Sequence, residues 1–354
     1  MKNIFKYIIF AAAAIITASC ARTISEGVNE ANQRYFDAWL KVNAGKFPKF
    51  EKTGRGIYVI DETKTDVGAT VIKDGYAIVE FTTTDLAGNI TDYTNAEQAE
   101  QLGVYSPSSY YGPKVWTTTD ETIRAGVLDG ILGMKTGETR KFIVPSWLMS
   151  YDNFSTEQEY LSKSTDFTNT IFDVKVTDFT MDINEWQFVQ MTRKFNEEDF
   201  YGGRFAGTTL EDTTGVAYGM FFKPLVEELA EEEFKEDTTI YINYIGKLLN
   251  GLIFDTNIER VALDNNISTS GRTFGPTSVN WGEEYDDITL DESEVIPGFS
   301  KTLWKMGKMR KGSKAIGMFY SGLGYGYSGS TNIPGYAPLI FEIEFVEKPE
   351  IRGA

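Results

Sequence analysis

Between Leu339 and Phe345 the apolar residues Leu339, Phe341, Ile343 and Phe345 alternate with Glu342 and Glu344. That period of two predicts a strand with one buried and one wet face. Upstream, Phe299, Leu303 and Met306 recur at the i, i+4, i+7 spacing of a short helix with one buried face. Gly312 closes that helical unit, and a β-rich run follows from Ala315 to Tyr320. Leu323 to Tyr327 is too glycine-rich for a regular element. Near the start, Ser25 to Asn43 predicts a helix docked on the first domain, with Tyr35, Trp39 and Val42 on one face and Gly45 as its stop. Lys46 to Phe50 reads as a linker, and Asn184 to Phe200, with Trp186, Phe188 and Val189, as a connecting helix. The acidic run Glu227 to Asp237 reads as a solvated loop or helix face, without the loop glycine and ligand spacing of a calcium site.

The pattern occurs twice. Gly56-Ile57-Tyr58-Val59 is answered by Gly215-Val216-Ala217-Tyr218, and Ala77 to Phe81 by Ile240 to Tyr244. Each of the latter strands has a glycine seven residues on, Gly88 and Gly251, where a hairpin turns. Gly126-Val127 with Ile131 and Met134 answers Gly298-Phe299 with Leu303 and Met306. Met134-Lys135-Thr136-Gly137 answers Met309-Arg310-Lys311-Gly312, and Thr170 to Val176 answers Leu339 to Phe345. Many short alternating strands and one short amphipathic helix per copy predict two α+β domains.

Length agrees with two domains plus extras, the chain having 354 residues. The net charge of −17 argues against a nucleic-acid partner, because phosphate binding needs a basic face. There is no histidine. Catalytic triads, His-ligated zinc and imidazole bases are thereby excluded. No pattern calls for a metal or any cofactor.

The single cysteine, Cys20, stands at an informative place. A basic start through Lys6, an apolar stretch from Tyr7 to Ile16 and the small residues Thr17-Ala18-Ser19 precede it. This is the build of a secretory signal, too short for a comfortable membrane span. Its ending resembles a bacterial lipobox, with Thr17 where leucine is usual. The expectation is a signal peptide over 1–19, with Cys20 lipidated and anchoring the chain in the bacterial envelope, in the outer membrane and facing the periplasm.

The order Val295-Ile296-Pro297-Gly298-Phe299, Met309-Arg310-Lys311-Gly312, Tyr325-Gly326 and Leu339-Ile340-Phe341-Glu342-Ile343 resembles the FK506-binding (FKBP) type of peptidyl-prolyl cis-trans isomerase. The resemblance implies two FKBP-like domains, each an antiparallel sheet wrapped around a short helix. The expected layout is an N-terminal helix and linker over 20–49, a degenerate domain over 50–180, a connecting helix over 181–204, and an isomerase domain over 205–350. Prolyl isomerisation needs neither nucleophile nor proton transfer. An apolar pocket that removes water from the amide and holds it twisted lowers a barrier of ~18–20 kcal/mol.

Carried over residue by residue, the resemblance implies that Tyr244 walls the pocket and that Phe254 meets the proline ring. Asp255 becomes the polar group near the substrate carbonyl, paired with Arg260 five residues on. Ile296, next to Val295, donates its backbone N–H; Phe299 is the floor; Tyr325 donates its hydroxyl; Ile333 and Phe341 complete the apolar wall. Taken singly, the apolar residues read more readily as ordinary core, Tyr325 as a loop aromatic, and Asp255 with Arg260 as a solvated pair; together, at the family's spacing, they read as a pocket. Two places depart from the family. Gly271 to Asp287 is an insertion that puts Asp286, beside Tyr285, where an aromatic is usual, and Ser321 replaces a proline.

The first copy keeps Phe81 for Tyr244 and Asp92 for Asp255, but has Thr91 for Phe254 and Val127 for Phe299. Ser150 replaces Tyr325, with Tyr151 one residue out of register. A weak or inactive copy is expected. The implied partners are proline-containing unfolded or exported polypeptides. The competing readings are a non-enzymatic chaperone or subunit of an outer-membrane complex, and a surface lipoprotein that binds nutrients.

Overall fold

The computed structural model describes residues 27–152, 154–163, 167–195, 206–207 and 218–349. Cys20 with its leader, and Gly215 to Ala217, lie outside the described residues. Two antiparallel sheets organise the chain, each curled around one short helix.

The first unit comprises α1 (Val28–Asn43), β1 (Glu51–Lys52), β2 (Tyr58–Thr63), β3 (Tyr76–Thr84), β4 (Ile90–Tyr93), α2 (Ala96–Gln101), β5 (Lys114–Thr117), α3 (Ala125–Ile131), β6 (Thr139–Val144), α4 (Glu157–Leu161) and β7 (Thr170–Thr180). Its strands run in the order β1-β2-β6-β7-β3-β4, with β5 also on β3. The second unit comprises α5 (Ile183–Phe195), β8 (Ala206–Gly207), β9 (Met220–Val226), β10 (Thr239–Leu248), β11 (Ile253–Thr256), α6 (Glu259–Asp264), β12 (Thr277–Asn280), β13 (Thr289–Leu290), β14 (Ser293–Glu294), α7 (Pro297–Lys305), β15 (Lys314–Phe319) and β16 (Leu339–Val346). Its order is β14-β13-β12-β10-β16-β15-β9-β8, with β11 also on β10. In both units the last strand lies mid-sheet, β7 between β6 and β3, and β16 between β15 and β10.

Alternation explains the inner layer. Phe172, Val174 and Val176 of β7, and Leu339, Phe341, Ile343 and Phe345 of β16, are buried on the concave faces. There α3 supplies Val127, Leu128 and Ile131, and α7 supplies Phe299 and Leu303. Proline at the first helical position starts α7, where its missing N–H costs nothing.

The convex faces are not wholly wet. Ile340, Ile316 and Met318 are buried under Phe188 and Met191 of α5. Likewise α1 sets Phe36 and Leu40 on Ile60, Ile143 and Ile171. The face expected for α1 is therefore corrected by one step. Tyr35 and Val42 are exposed, Trp39 is at the margin, and the inward stripe is Asn29, Phe36 and Leu40. Tyr35, Trp39 and Val42 have helical spacing too, and the sequence alone did not show which stripe had a seat to fill. The residues read as a connecting helix thus cover the second sheet.

The insertion adds a strand. β12 pairs with β10, Trp281 is buried, and the turn Tyr285–Asp287 lies against α7. The acidic run is a loop held by Phe234, whose ring meets Trp281 at 5.0 Å and Phe345 at 5.8 Å. The start of the repeat also shifts. Gly56, which precedes β2, matches Gly219, which precedes β9, rather than Gly215. Both have a left-handed backbone (φ 116° and 71°) that only glycine adopts easily. Ile57 and Met220 follow them into the two cores.

Candidate active site

Phe341 sits mid-strand in β16 opposite Gly246 of β10. A Cβ at Gly246 would come within 2.8 Å of the Phe254 ring and 3.0 Å of the Phe341 ring, so glycine makes the space these rings occupy. Around Phe341 stand Phe299 at 5.0 Å and Phe254 at 5.6 Å, both edge-on, and Tyr244 at 6.2 Å. Tyr244 also meets Phe299 edge-on at 5.7 Å. Phe299 and Phe341 are buried, Phe254 and Tyr244 are partly exposed, and Ile333 is buried in the same core. The four rings form an aromatic cup whose upper edge faces solvent. Val295 and Ile296 pack at its side, before α7.

The polar groups lie along the rim. The Tyr244 hydroxyl donates to Asp255 Oδ2 at 2.9 Å. Burial, then the charge of Asp255 and this hydrogen bond, push the phenol well above its ordinary range. Burial and Asp255 also push Tyr325 up. Both hydroxyls therefore stay protonated, as donors, throughout the neutral range. Tyr325 is 39% exposed, on the loop after β15. The carbonyl of Ile296 caps α7 by accepting from Phe299 N–H at 2.9 Å, while among the described residues its own N–H has no partner.

One expected pair is corrected. Arg260 lies on α6, its side chain 90% exposed, 3.6 Å from Asp264. The cation on Asp255 is Arg272, from the insertion, which donates to Asp255 Oδ1 and, at 3.1 Å, to the carbonyl of Thr256. Arg260 starts a helical turn that points it away from the pocket, and the inserted segment folds Arg272 back over the rim. Asp286 lies in the turn against α7, close enough for its charge to act on Lys301.

Asn257 went unnoticed in the sequence. Its buried amide oxygen accepts from Tyr244 N–H at 2.8 Å, and its two amide hydrogens are shared among the Ile242 carbonyl at 2.8 Å, the Gly275 carbonyl at 3.0 Å and Thr277 Oγ1 at 3.0 Å. It ties the Tyr244 strand, the hairpin and the insertion together. Two residues beyond Asp255 in the Phe254-Asp255-Thr256-Asn257 run, it could have been found as a polar residue directly after the strand that carries Phe254 and Asp255. Among the described residues, no group of three or more acidic or cysteine side chains comes together to hold a metal.

In the first unit, strand register puts Phe81 at the place of Tyr244, Phe172 at that of Phe341, and Asp92 at that of Asp255. Thr91 leaves the place of Phe254 without a ring. The expected loss of aromatic surface is only partial, however. Trp116 of β5, at the register position of Val279 in β12, brings its ring 4.9 Å from Phe81 and 6.4 Å from Phe172. Asp92 has Lys114 at 3.7 Å as its cation. Ser150 is buried and bonded to Asp152, and Tyr151 is exposed under the Arg124 guanidinium.

The second cup can dehydrate an amide against four rings while Tyr325 O–H and Ile296 N–H offer donors to a carbonyl oxygen. Residues 230–346 match the family described as FKBP-type peptidyl-prolyl cis-trans isomerase. The chain is 30% identical over 144 residues to the peptidyl-prolyl cis-trans isomerase FKBP15-2 of Arabidopsis thaliana, covering 39% of this chain and 70% of that protein. Among solved structures, the three FKBP domains of wheat FKBP73 match 83% of this chain and 95% of that one at 14% identity, TM-score 0.28. FkpA from Escherichia coli matches 47% of this chain and 62% of that one at 21% identity, TM-score 0.29.

Proposed function

The chain belongs to the FKBP-type peptidyl-prolyl cis-trans isomerase family, and from that premise we propose that its second domain turns over prolyl bonds and its first does not. The observation that carries this reading is the ring set around Phe341, complete in the second unit and missing the Phe254 and Phe299 equivalents in the first. Phe254 meets the proline ring, Phe299 forms the floor, and Tyr325 with Ile296 receives the carbonyl oxygen as the amide twists. Asp255, braced by Tyr244 and Arg272, sets the polar rim. A 10⁴–10⁶-fold acceleration requires about 5–8 kcal/mol, a scale within reach of desolvation plus one or two hydrogen bonds.

The substrates proposed are unfolded, exported polypeptides, and the place proposed is the bacterial envelope, at the periplasmic face of the outer membrane, through a lipid on Cys20. The leader before Cys20 supports this localisation. The test is a prolyl-tetrapeptide isomerisation assay on chains beginning after Cys20. Phe254→Ala is expected to lower kcat/KM by tenfold or more, and Tyr325→Phe by several-fold. With no imidazole, and both phenols pushed up, the rate should stay level from about pH 6 to 9. A wild-type rate no higher than that of Phe254→Ala overturns the reading. It selects instead a non-enzymatic tandem module, of the chaperone or outer-membrane-complex kind, which the persistent cleft of the first unit favours. Cys20→Ala should move the full chain from the membrane fraction to the soluble one.

A further inference from the structure

The first unit keeps a cleft of about 620 Å³ at the place that corresponds to the aromatic cup. Its walls include Phe81, Trp116 and Phe172, with Val127 at the floor. Valine there is smaller than Phe299, and Thr91 removes the ring that would press on a proline, so the space takes a side chain bulkier than proline. On the rim, at the position of Ile296, stands Arg124. Its guanidinium lies 5.0 Å from the Tyr151 ring centroid, and it makes no ion pair among the described residues. Asp92, by contrast, has Lys114 beside it.

Two further lining residues come from the second unit. Tyr327 and Tyr336, on the loop that carries Tyr325, close one side of this cleft. Tyr336 is held there, edge-on to Tyr76 at 5.5 Å and with its hydroxyl 3.3 Å from Thr117 Oγ1. A second cleft of about 420 Å³ lies between the units and shares Val115, Trp116 and Tyr327 with the first. Its other end is bounded by Ile333, which packs in the core beneath the isomerase cup. The two clefts therefore adjoin each other, and Ile333 sets the far end of the second beside the core under the isomerase cup.

We propose that one unfolded polypeptide occupies both units at once, with its prolyl bond in the second domain and an aromatic side chain of a neighbouring stretch held in the Trp116 cleft of the first. Arg124 receives a main-chain carbonyl of that stretch. The inactive domain thereby becomes a binding subsite for extended chains, and short peptides that fill only the cup do not use it. The occupant follows from the shared loop: the segment that carries Tyr325 also lines both clefts, with Ile333, Tyr327 and Tyr336. A chain with its prolyl bond in the cup and its next residues laid along that loop meets the cleft that runs from Ile333 past Tyr327 to Trp116.

The inference rests on the isomerase reading, and two substrates separate the two. A prolyl tetrapeptide reports on the cup alone. A reduced, carboxymethylated protein whose refolding is limited by one prolyl bond reports on both units. Trp116→Ala and, as a second variant that leaves the rings intact, Arg124→Met are expected to leave tetrapeptide kcat/KM within twofold of wild type. On the unfolded protein they should lower kcat/KM at least fivefold, through KM. Unchanged KM for the unfolded protein in both variants overturns the proposal.

Binding is read separately, by anisotropy of a fluorescent fifteen-residue peptide with one proline and a distant tryptophan, against wild type and both variants. Weaker binding by the variants supports the subsite even if the tetrapeptide is not turned over, an outcome that defeats only the isomerase reading. Equal binding overturns the subsite. So does a dimer that Trp116→Ala dissociates without changing peptide affinity, because the occupant is then a second copy of the chain.

Discussion

Arg272 takes the place beside Asp255 that the family resemblance implies for Arg260. Both arginines are within reach along the chain, but only one returns to the rim. Arg272 orients Asp255, which also receives the Tyr244 hydroxyl. We expect Arg272→Ala to lower tetrapeptide kcat/KM by about three- to tenfold, the 0.7–1.4 kcal/mol scale of one lost charged contact at a half-exposed rim. Arg260→Ala should leave it unchanged, its side chain being 90% exposed and, among the described residues, paired with Asp264. Equal losses in the two variants would return the role to Arg260. The expectation failed for a physical reason. Spacing within a hairpin is set by strand register, so Phe254 and Asp255 could be placed from Tyr244. A position beyond the strand is set by the helix it enters, and an inserted segment brings partners of its own. Asn257 escaped for a related reason: its bonds join segments distant in the sequence.

At the scale of elements, the two helices make the same close approach to their sheets by opposite means. In the first unit Gly130 of α3 faces the Phe142 ring, and a Cβ on that glycine would fall 2.2 Å from it. In the second unit Thr302 of α7 faces Gly317, where a Cβ would fall 1.9 Å from Thr302 Oγ1. Strand register matches Phe142 with Gly317, opposite Phe172 and Phe341 respectively. The bulk has moved from strand to helix with the gap kept, as close packing requires. Gly317→Ala is expected to cost about 1–3 kcal/mol in chemical denaturation, the usual range for overpacking. Thr302→Gly added to it should recover more than half of that, less about 1 kcal/mol for glycine in a helix. Additive losses in the double variant would refute the pairing. The short helices, the closing strands and the Gly88 and Gly251 hairpins were legible because a buried period is written locally. The compensation between α3 and β6 was not, since it appears only once the facing residues are known.

At the scale of the molecule, the repeat is longer than the repeated motifs suggest. Each sheet has a helix before it that covers its convex face, α1 over Ile143 and Ile171, α5 over Met318 and Ile340. In the sequence this segment reads only as a connecting helix, with Trp186, Phe188 and Val189 apolar. Its Gln187 side chain is buried and accepts the Ser321 N–H at 2.7 Å. A chain beginning at residue 181 is therefore expected to fold stably, and one beginning at 205 to lose roughly 3–6 kcal/mol, from Phe188 and Met191 at about 1.5–3 kcal/mol each. Thermal melts of the two fragments would show it, and coincident melts would leave α5 a mere tether. The alternation of β16 hid this arrangement, because Ile340, on the face expected to be wet, was a single apolar residue beside two glutamates.

The strand that arrives last lies in the middle of each sheet, and this has a consequence in time. Phe36 leaves the ribosome before the chain has made Ile143 and Ile171, the seats it will occupy. At ~5–20 residues per second, the wait is on the order of ten seconds. Until β7 slots between β6 and β3, the early strands have an open gap where the closing pair should be, and the apolar stripe of α1 has nowhere to rest. The second unit repeats the delay, with β16 completing the sheet and the seat of Met191 together. A chain proposed to help others fold thus spends its own synthesis as an unfinished polypeptide with exposed aromatic side chains, the kind of chain proposed to occupy its clefts.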